Sequence, residues 1–193
     1  VEGVRLLEEA LAMGTVETLY YTNDLSFSRR KKLLVKEANK KNILIKKIND
    51  KVLKKISNTV SNQGVVGVAL IPEDRSTKFE DNWIYLDQIH DPGNLGTIIR
   101  TADWFGVRNL ALSHSSADPY HPKVVRSGMG AHFRLTIRTS CDLDKIKSAG
   151  YIILAADTRG EPIQTFSLPR ELNWCLVMGS EAVGISENNK GMV

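Results

Sequence analysis

The sequence predicts two α/β units in tandem, the second built around a parallel β-sheet. Four apolar runs alternate with segments of helical periodicity: WIYLDQI from Trp83, NLALSH from Asn109, YIILAAD from Tyr151 and WCLVMG from Trp174. Strands that are apolar along nearly their whole length belong to parallel sheets covered on both faces. A polar, charged stretch without apolar periodicity, PEDRSTKFEDN at residues 72–82, interrupts the pattern and reads as a linker. Charge divides at the same place: residues 1–71 hold 13 Lys and Arg against 7 Asp and Glu, a balance of +6, which leaves −2 for the remainder. The expected organisation is therefore a small domain at 1–71, a linker at 72–82 and a larger domain at 83–193.

In the first unit, VRLLEEALAMG has helical spacing and stops at Gly14, VETLYYT alternates like a strand, and SRRKKLLVKEANKKN returns to helix. ILIKKI and VVGVALI are short β-prone runs with a short helix, KVLKKIS, between them. In the second unit, HDPGN reads as a turn leading into a helix, LGTIIRTADWFG, that ends at Gly106 and buries Ile98, Ile99, Ala102 and Phe105. A short helix around Pro122 to Ser127, a strand-like FRLTIRT and a helix over DLDKIKSAG complete the alternation.

A hydrophobic content of 42% suits a packed globule. No apolar run approaches the roughly 18–20 residues of a membrane span, and acidic residues sit inside the apolar periodicity of the first helix. The expectation is a soluble, cytoplasmic protein. Cys141 and Cys175 form no CxxC, and His90, His114, His121 and His132 lack ligand spacing, so neither a disulfide framework nor a metal site is expected.

In an open parallel sheet, ligands bind beyond the carboxyl ends of the strands. Three segments occupy that position: His90-Asp91-Pro92-Gly93-Asn94 running into Arg100, Ala156-Asp157-Thr158-Arg159-Gly160, and Gly179-Ser180-Glu181-Ala182-Val183-Gly184. A dinucleotide-binding domain places its glycine-rich turn after the first strand; here the glycine-rich loop follows the last one, which argues against a nucleotide-dependent oxidoreductase. Each residue also has a plain structural explanation. Asn94 suits a helix N-cap, Arg100 an exposed or ion-paired position, and Glu181 the N-terminus of a helix starting near Ile185. Gly179 and Gly184 suit simple turns. The basic residues Arg29, Arg30, Lys31 and Lys32, with Lys36 to Lys55 beyond them, suit either a phosphate backbone or a solvated helix face.

Taken together, DQIHDPGNLGTIIRTADWFGV at 87–107 and LVMGSEAVGIS at 176–186 resemble the motifs of the SpoU class of knotted RNA methyltransferases. VVRSGMGAHFRL at 124–135 resembles the family's RNA-side segment, and LAADTRG at 154–160 its cofactor-side strand end. The resemblance spans residues 82–190, and the N-terminal unit looks like the substrate-binding domain often fused ahead of such enzymes. It implies an α/β-knot fold, a homodimer, and transfer of a methyl group from S-adenosylmethionine to a ribose 2′-hydroxyl of RNA, rRNA ahead of tRNA, without metal or membrane. By the same resemblance Arg100 is the catalytic arginine, Asn94 helps build its pocket and Glu181 holds the arginine in place. Gly179, Ala156, Asp157 and Gly184 contact the cofactor, and Arg126, Ser127 and Gly128 lie near the RNA. The family's third motif, a proline turn and a Ser-Leu-Asn-like segment, is missing from the sequence, which the expectation attributes to truncation. The competing reading is a catalytically inactive RNA-binding protein of the same fold, which would bind RNA but not S-adenosylmethionine.

Overall fold

The computed structural model describes residues 1–22, 29–59, 62–72, 79–165, 167 and 171–193. They form two compact units, Val1–Pro72 and Glu73–Val193.

In the first unit, helices α1 (Val4–Ala12), α2 (Arg29–Lys40) and α3 (Asp50–Ile56) accompany strands β1 (Val16–Tyr21), β2 (Leu44–Lys47) and β3 (Val65–Ala69). The sheet order is β2-β1-β3, with β1 parallel to β2 and antiparallel to β3. Leu7, Ala10 and Leu11 share one face of α1 at helical spacing and are buried with Leu19, Leu34, Leu53 and Val65. α1 rests directly on the sheet at Gly67, where an added methyl group would lie 2.4 Å from Leu7 Cδ2. α3 starts where Asn49 accepts a hydrogen bond from Val52 N at 2.9 Å, the usual service of an N-cap side chain.

The second unit contains β4 (Trp83–Asp87), α4 (Pro92–Trp104), β5 (Asn109–Leu112), α5 (Pro122–Ser127), β6 (Thr136–Arg138), α6 (Leu143–Ser148), β7 (Ile152–Ala155), β8 (Trp174–Gly179) and α7 (Glu187–Lys190). Its five strands are all parallel, in the order β6-β5-β4-β8-β7. Every residue of central β4 is buried, as its unbroken apolar run requires. On one face, Ile84, Leu86, Leu110 and Leu112 pack with Leu95, Ile99 and Ala102 of α4 and Val124 of α5. On the other, Trp83, Tyr85, Cys175 and Val177 pack with Leu143 and Ile146 of α6. Both cysteines are buried and unbridged. Among the described residues no helix is long and apolar enough to cross a membrane.

The sequence reading needs correction at several points. α4 begins at Pro92, one turn before the expected Leu95, because proline at the first helical position gives up only an N–H that has no partner there anyway. Its N-cap is Asp91 rather than Asn94, and its buried residues are Leu95, Gly96, Ile99 and Ala102. Phe105, expected in the core, lies beyond the helix end and is 77% exposed. The strand expected over FRLTIRT shrinks to Thr136–Arg138, because Ala131–Phe133 form a 3-10 turn and Arg134 is drawn to Asp103 of α4 (Nη2–Oδ2 2.7 Å). The helix expected near Ile185 starts at Glu187, with Ser186 at the N-cap position. Of the expected linker, residues 73–78 lie outside the described residues. Phe79, at its far end, packs edge-on against Trp83 with ring centroids 5.1 Å apart, and the Arg138 guanidinium lies over it at 4.4 Å.

Because Ile99 is fully buried between α4 and the sheet, Ile99→Ala should cost about 2–5 kcal/mol, measured as a lower urea midpoint at unchanged m-value.

Candidate active site

β4 and β8 are neighbours in parallel register, with Asp87 opposite Gly179, so the segments that follow them emerge side by side. The Asp87 carboxylate is 1% exposed and accepts the backbone N–H of Ser186 at 2.8 Å, tying the end of β4 to the start of α7. After β4, Asp91 Oδ1 accepts Asn94 N at 2.8 Å. That backbone hydrogen bond, with Lys123 nearby, holds the Asp91 carboxyl below its usual range. With its backbone satisfied by Asp91, Asn94 projects its side chain outward, and its Nδ2 donates to Glu181 Oε1 in the loop after β8.

That loop explains its own glycines. Ser180 N donates to Gly184 O at 3.1 Å and Gly184 N to Ser180 O at 2.8 Å, closing residues 180–184 into a tight turn. Gly184 has φ +72°, a left-handed conformation that costs L side chains energy. A methyl group on Gly179 would lie 2.1 Å from Gly184 C, so the strand end and the returning loop touch backbone to backbone. The turn leaves Glu181, Ala182 and Val183 exposed.

Arg100 does not meet Glu181. Its Nη1 donates to Met129 Sδ at 3.3 Å, and among the described residues the guanidinium forms no ion pair. Met129 lies on the turn after α5, with φ +50°. α5 itself presses on α4 at Gly96, where a methyl group would fall 1.7 Å from Ser127 Oγ. The Ser127 hydroxyl is placed to donate to the carbonyls of Lys123 and Val124, each at 3.1 Å, and is spent on this packing, whereas Arg126 is exposed. Behind the turn, His132 is 3% exposed. Its Nε2 lies 2.9 Å from Pro119 O, and since a carbonyl can only accept, the neutral ring carries its proton there. Nδ1 has no partner, and burial lowers the ring's pKa.

At the end of β7, Ala156 N donates to Val177 O at 3.0 Å, which places Ala156 and Asp157 beside the end of β8. The Asp157 carboxylate accepts Arg159 N at 2.9 Å and Arg159 Nε at 3.0 Å, and this pairing pulls its pKa down to about 2. In the first unit, the predicted basic residues divide. Arg29 and Lys32 are exposed on α2, Lys31 is half-buried with Nζ near Gly64, and Arg30 is engaged by both carboxylate oxygens of Glu8. The structure thus joins Asn94 to Glu181 and gives Arg100 a different partner, Met129. Sequence reasoning missed Asp87, Asp91, Met129 and His132; only Asp91, one residue before Pro-Gly, carried a readable signal, that of an N-cap.

Two outcomes are expected from this geometry. Gly179→Ala should lower the thermal midpoint by an amount equivalent to about 1–3 kcal/mol, since its methyl group meets backbone rather than a movable side chain. Burial holds the pKa of folded His132 below that of the unfolded chain, ~6.5, so the stability it contributes is full above that value and falls as pH drops through it. His132→Gln, which keeps a donor for Pro119, should flatten the fall in thermal midpoint between pH 7 and 5.

Comparison with known proteins follows this geometry. Residues 81–191 match the model of the SpoU rRNA Methylase family, and residues 1–74 match that for RNA 2′-O ribose methyltransferase substrate binding. The mitochondrial rRNA methyltransferase 3 of Xenopus laevis is 36% identical over 169 residues, covering 81% of this chain and 39% of that protein. The chain thus spans about two fifths of the length of the first curated relatives it matches. The 23S rRNA (guanosine(2553)-2′-O)-methyltransferase of Bacillus subtilis is 27% identical over 195 residues, covering 96% of this chain and 72% of its own. The crystal structure of the SpoU methyltransferase AviRb from Streptomyces viridochromogenes in complex with AdoMet superposes with a TM-score of 0.82 at 25% identity, covering 100% of this chain and 77% of that one. Since the family model takes in well over half of the residues, including both strand-end motifs around Arg100 and Glu181, the chain belongs to the SpoU rRNA methylase family.

Proposed function

We propose that this chain methylates RNA, moving a methyl group from S-adenosylmethionine to a ribose 2′-hydroxyl of rRNA, in preference to tRNA. The observation that carries this reading is the meeting of Asn94 and Glu181 across the ends of β4 and β8, with Arg100 on the same helix as Asn94 and, among the described residues, not neutralised by a carboxylate. The names of the relatives support rRNA as the substrate, and the AdoMet complex of a structural neighbour supports the cofactor.

The residues present fit that cofactor. The adjoining ends of β7 and β8 offer exposed residues at Ala156 and around the 180–184 turn, and Glu181 supplies negative charge suited to a sulfonium cation. Gly179, Gly184, Ala156 and Asp157 would hold it. When bound, S-adenosylmethionine supplies an electrophilic methyl group. The protein's task is then to align a hydroxyl with it, because positioning is the main source of rate in a direct displacement. Glu181 holds the Asn94 amide by its nitrogen, which leaves the amide oxygen to accept from the ribose hydroxyl. Arg100 donates to the oxygen as negative charge develops on it. It does not act as the base, since a guanidinium with a pKa above ~12 keeps its protons; the proton leaves to an RNA phosphate or to solvent. Glu181 thus serves Asn94 rather than holding Arg100, the role the family resemblance had implied.

Arg29, Lys32 and Arg126 are the exposed cations for phosphate contacts, with Arg30 reserved for Glu8 and Ser127 for helix packing. The homodimer, trefoil knot and cytoplasmic setting implied by the resemblance belong to the same proposal. The mitochondrial naming of the Xenopus relative makes cell fractionation the test of the last.

The test is transfer of labelled methyl from S-adenosylmethionine to rRNA and tRNA by the full-length protein, with 2′-O-methylated nucleosides identified by mass spectrometry. Methylated rRNA is expected. Arg100→Lys should lower kcat about 100-fold with calorimetric S-adenosylmethionine affinity unchanged. RNA binding without S-adenosylmethionine binding would establish the noncatalytic alternative instead.

A further inference from the structure

Met129, which the reaction described above does not use, combines an unusual backbone conformation with an unusual side-chain contact. It is a bulky residue in the left-handed region, with φ +50°, followed by Gly130 at φ +92°. It is also 56% exposed, so no gain from burying its side chain explains the conformation. Strain of this kind persists only where the surroundings enforce it, and it gathers at functional sites.

The enforcement is visible on every side of the turn. Gly128 N donates to Val124 O at 2.8 Å and Ala131 N to Gly128 O at 3.0 Å, so the residue before Met129 is fixed through both its N–H and its carbonyl and the turn closes around Met129. Gly128 is buried against His132, where a methyl group would fall 2.4 Å from Cε1, and His132 is itself anchored to Pro119 O. α5, which leads into the turn, is locked to α4 through Ser127 and Gly96. The product of these constraints is a thioether sulfur set 3.3 Å from Arg100 Nη1.

A thioether is a weak, polarisable acceptor without charge. It can hold a guanidinium in one orientation without neutralising it, whereas a carboxylate in the same place would hold it more firmly and cancel the charge that the developing alkoxide needs. In this structure Glu181 is engaged by Asn94 and not by Arg100.

We propose that Met129 is a positioning residue for Arg100: an uncharged shelf, held in a strained backbone conformation, that orients the guanidinium and leaves its other N–H donors for substrate. The inference rests on the reading of Arg100 as the residue that stabilises the reacting oxygen.

The experiment compares the full-length protein with its Met129→Gly and Met129→Leu variants. Arg100 order is read from guanidinium ¹⁵N NMR, the resonance being assigned by its loss in Arg100→Lys. Wild type should show an immobilised Arg100 side chain, and Met129→Gly and Met129→Leu, which both lack the sulfur acceptor, a mobile one. Glycine relieves the left-handed strain, so Met129→Gly should melt roughly 2–4 °C higher. Its kcat should nonetheless fall about 100-fold, the loss expected from a misplacement of about 1 Å, with KM for S-adenosylmethionine unchanged, and Met129→Leu should slow with it. A merely structural residue would lose stability and activity together, and that result would overturn the proposal. So would an immobile Arg100 or undiminished turnover in Met129→Gly, or a Met129→Leu enzyme as fast as the wild type. If the wild type transfers no methyl group, the proposed function fails, and the NMR comparison alone decides the role of Met129.

Discussion

The parallel pairing of β4 with β8 is the constraint on which the rest of the second unit depends. About ninety residues separate the two strands along the chain, yet Asp87 lies opposite Gly179, and the buried Asp87 carboxylate reinforces the pairing by holding Ser186 N. A parallel ladder sends both chains out of the sheet at the same edge. The α4 N-terminus and the 180–184 turn therefore meet, and Asn94 finds Glu181. β4 can occupy the centre only because it is apolar on both faces, each covered by its own helices.

Close backbone approach then sets the fine geometry. Gly179 lets the loop fold back onto its own strand, and Gly96 lets α5 sit against α4. A methyl group at either position would push apart elements that carry site residues. The α4–α5 contact brings the turn at Met129 within reach of Arg100, and it consumes the Ser127 hydroxyl that the sequence reading had offered to RNA.

Charge is allotted with similar economy. Glu181 is engaged by Asn94 across the β4–β8 strand ends, Asp157 by Arg159 within its own loop, and Asp103 of α4 by Arg134. Arg100 is left with a neutral neighbour. In the first unit the bidentate Arg30–Glu8 pair fastens α2 to α1, removing one cation from the basic face while Arg29 and Lys32 stay exposed. Exposed ion pairs of this sort add little stability; here the pairing distinguishes a cation that braces helices from cations open to solvent.

The element pattern was legible in the sequence because it follows local rules. Apolar runs marked the central strands, helical spacing marked α1 and α4, and the glycines of GSEAVG marked a tight loop after β8. The start of α4 was misread by one turn because Pro-Gly signals a turn as readily as it signals a first helical residue, and the buried stripe was consequently extended to Phe105. By itself the sequence determined that apolar strands alternate with helices, that positive charge gathers in the first third, and which residue types stand at the strand ends. Only the tertiary structure decided that Glu181 serves Asn94, that Arg30 is spent on Glu8, and that Met129 is held left-handed beside Arg100. Those outcomes depend on pairing between strands far apart in the chain and on backbone contacts at single glycines, and neither leaves a periodic trace in the residues themselves.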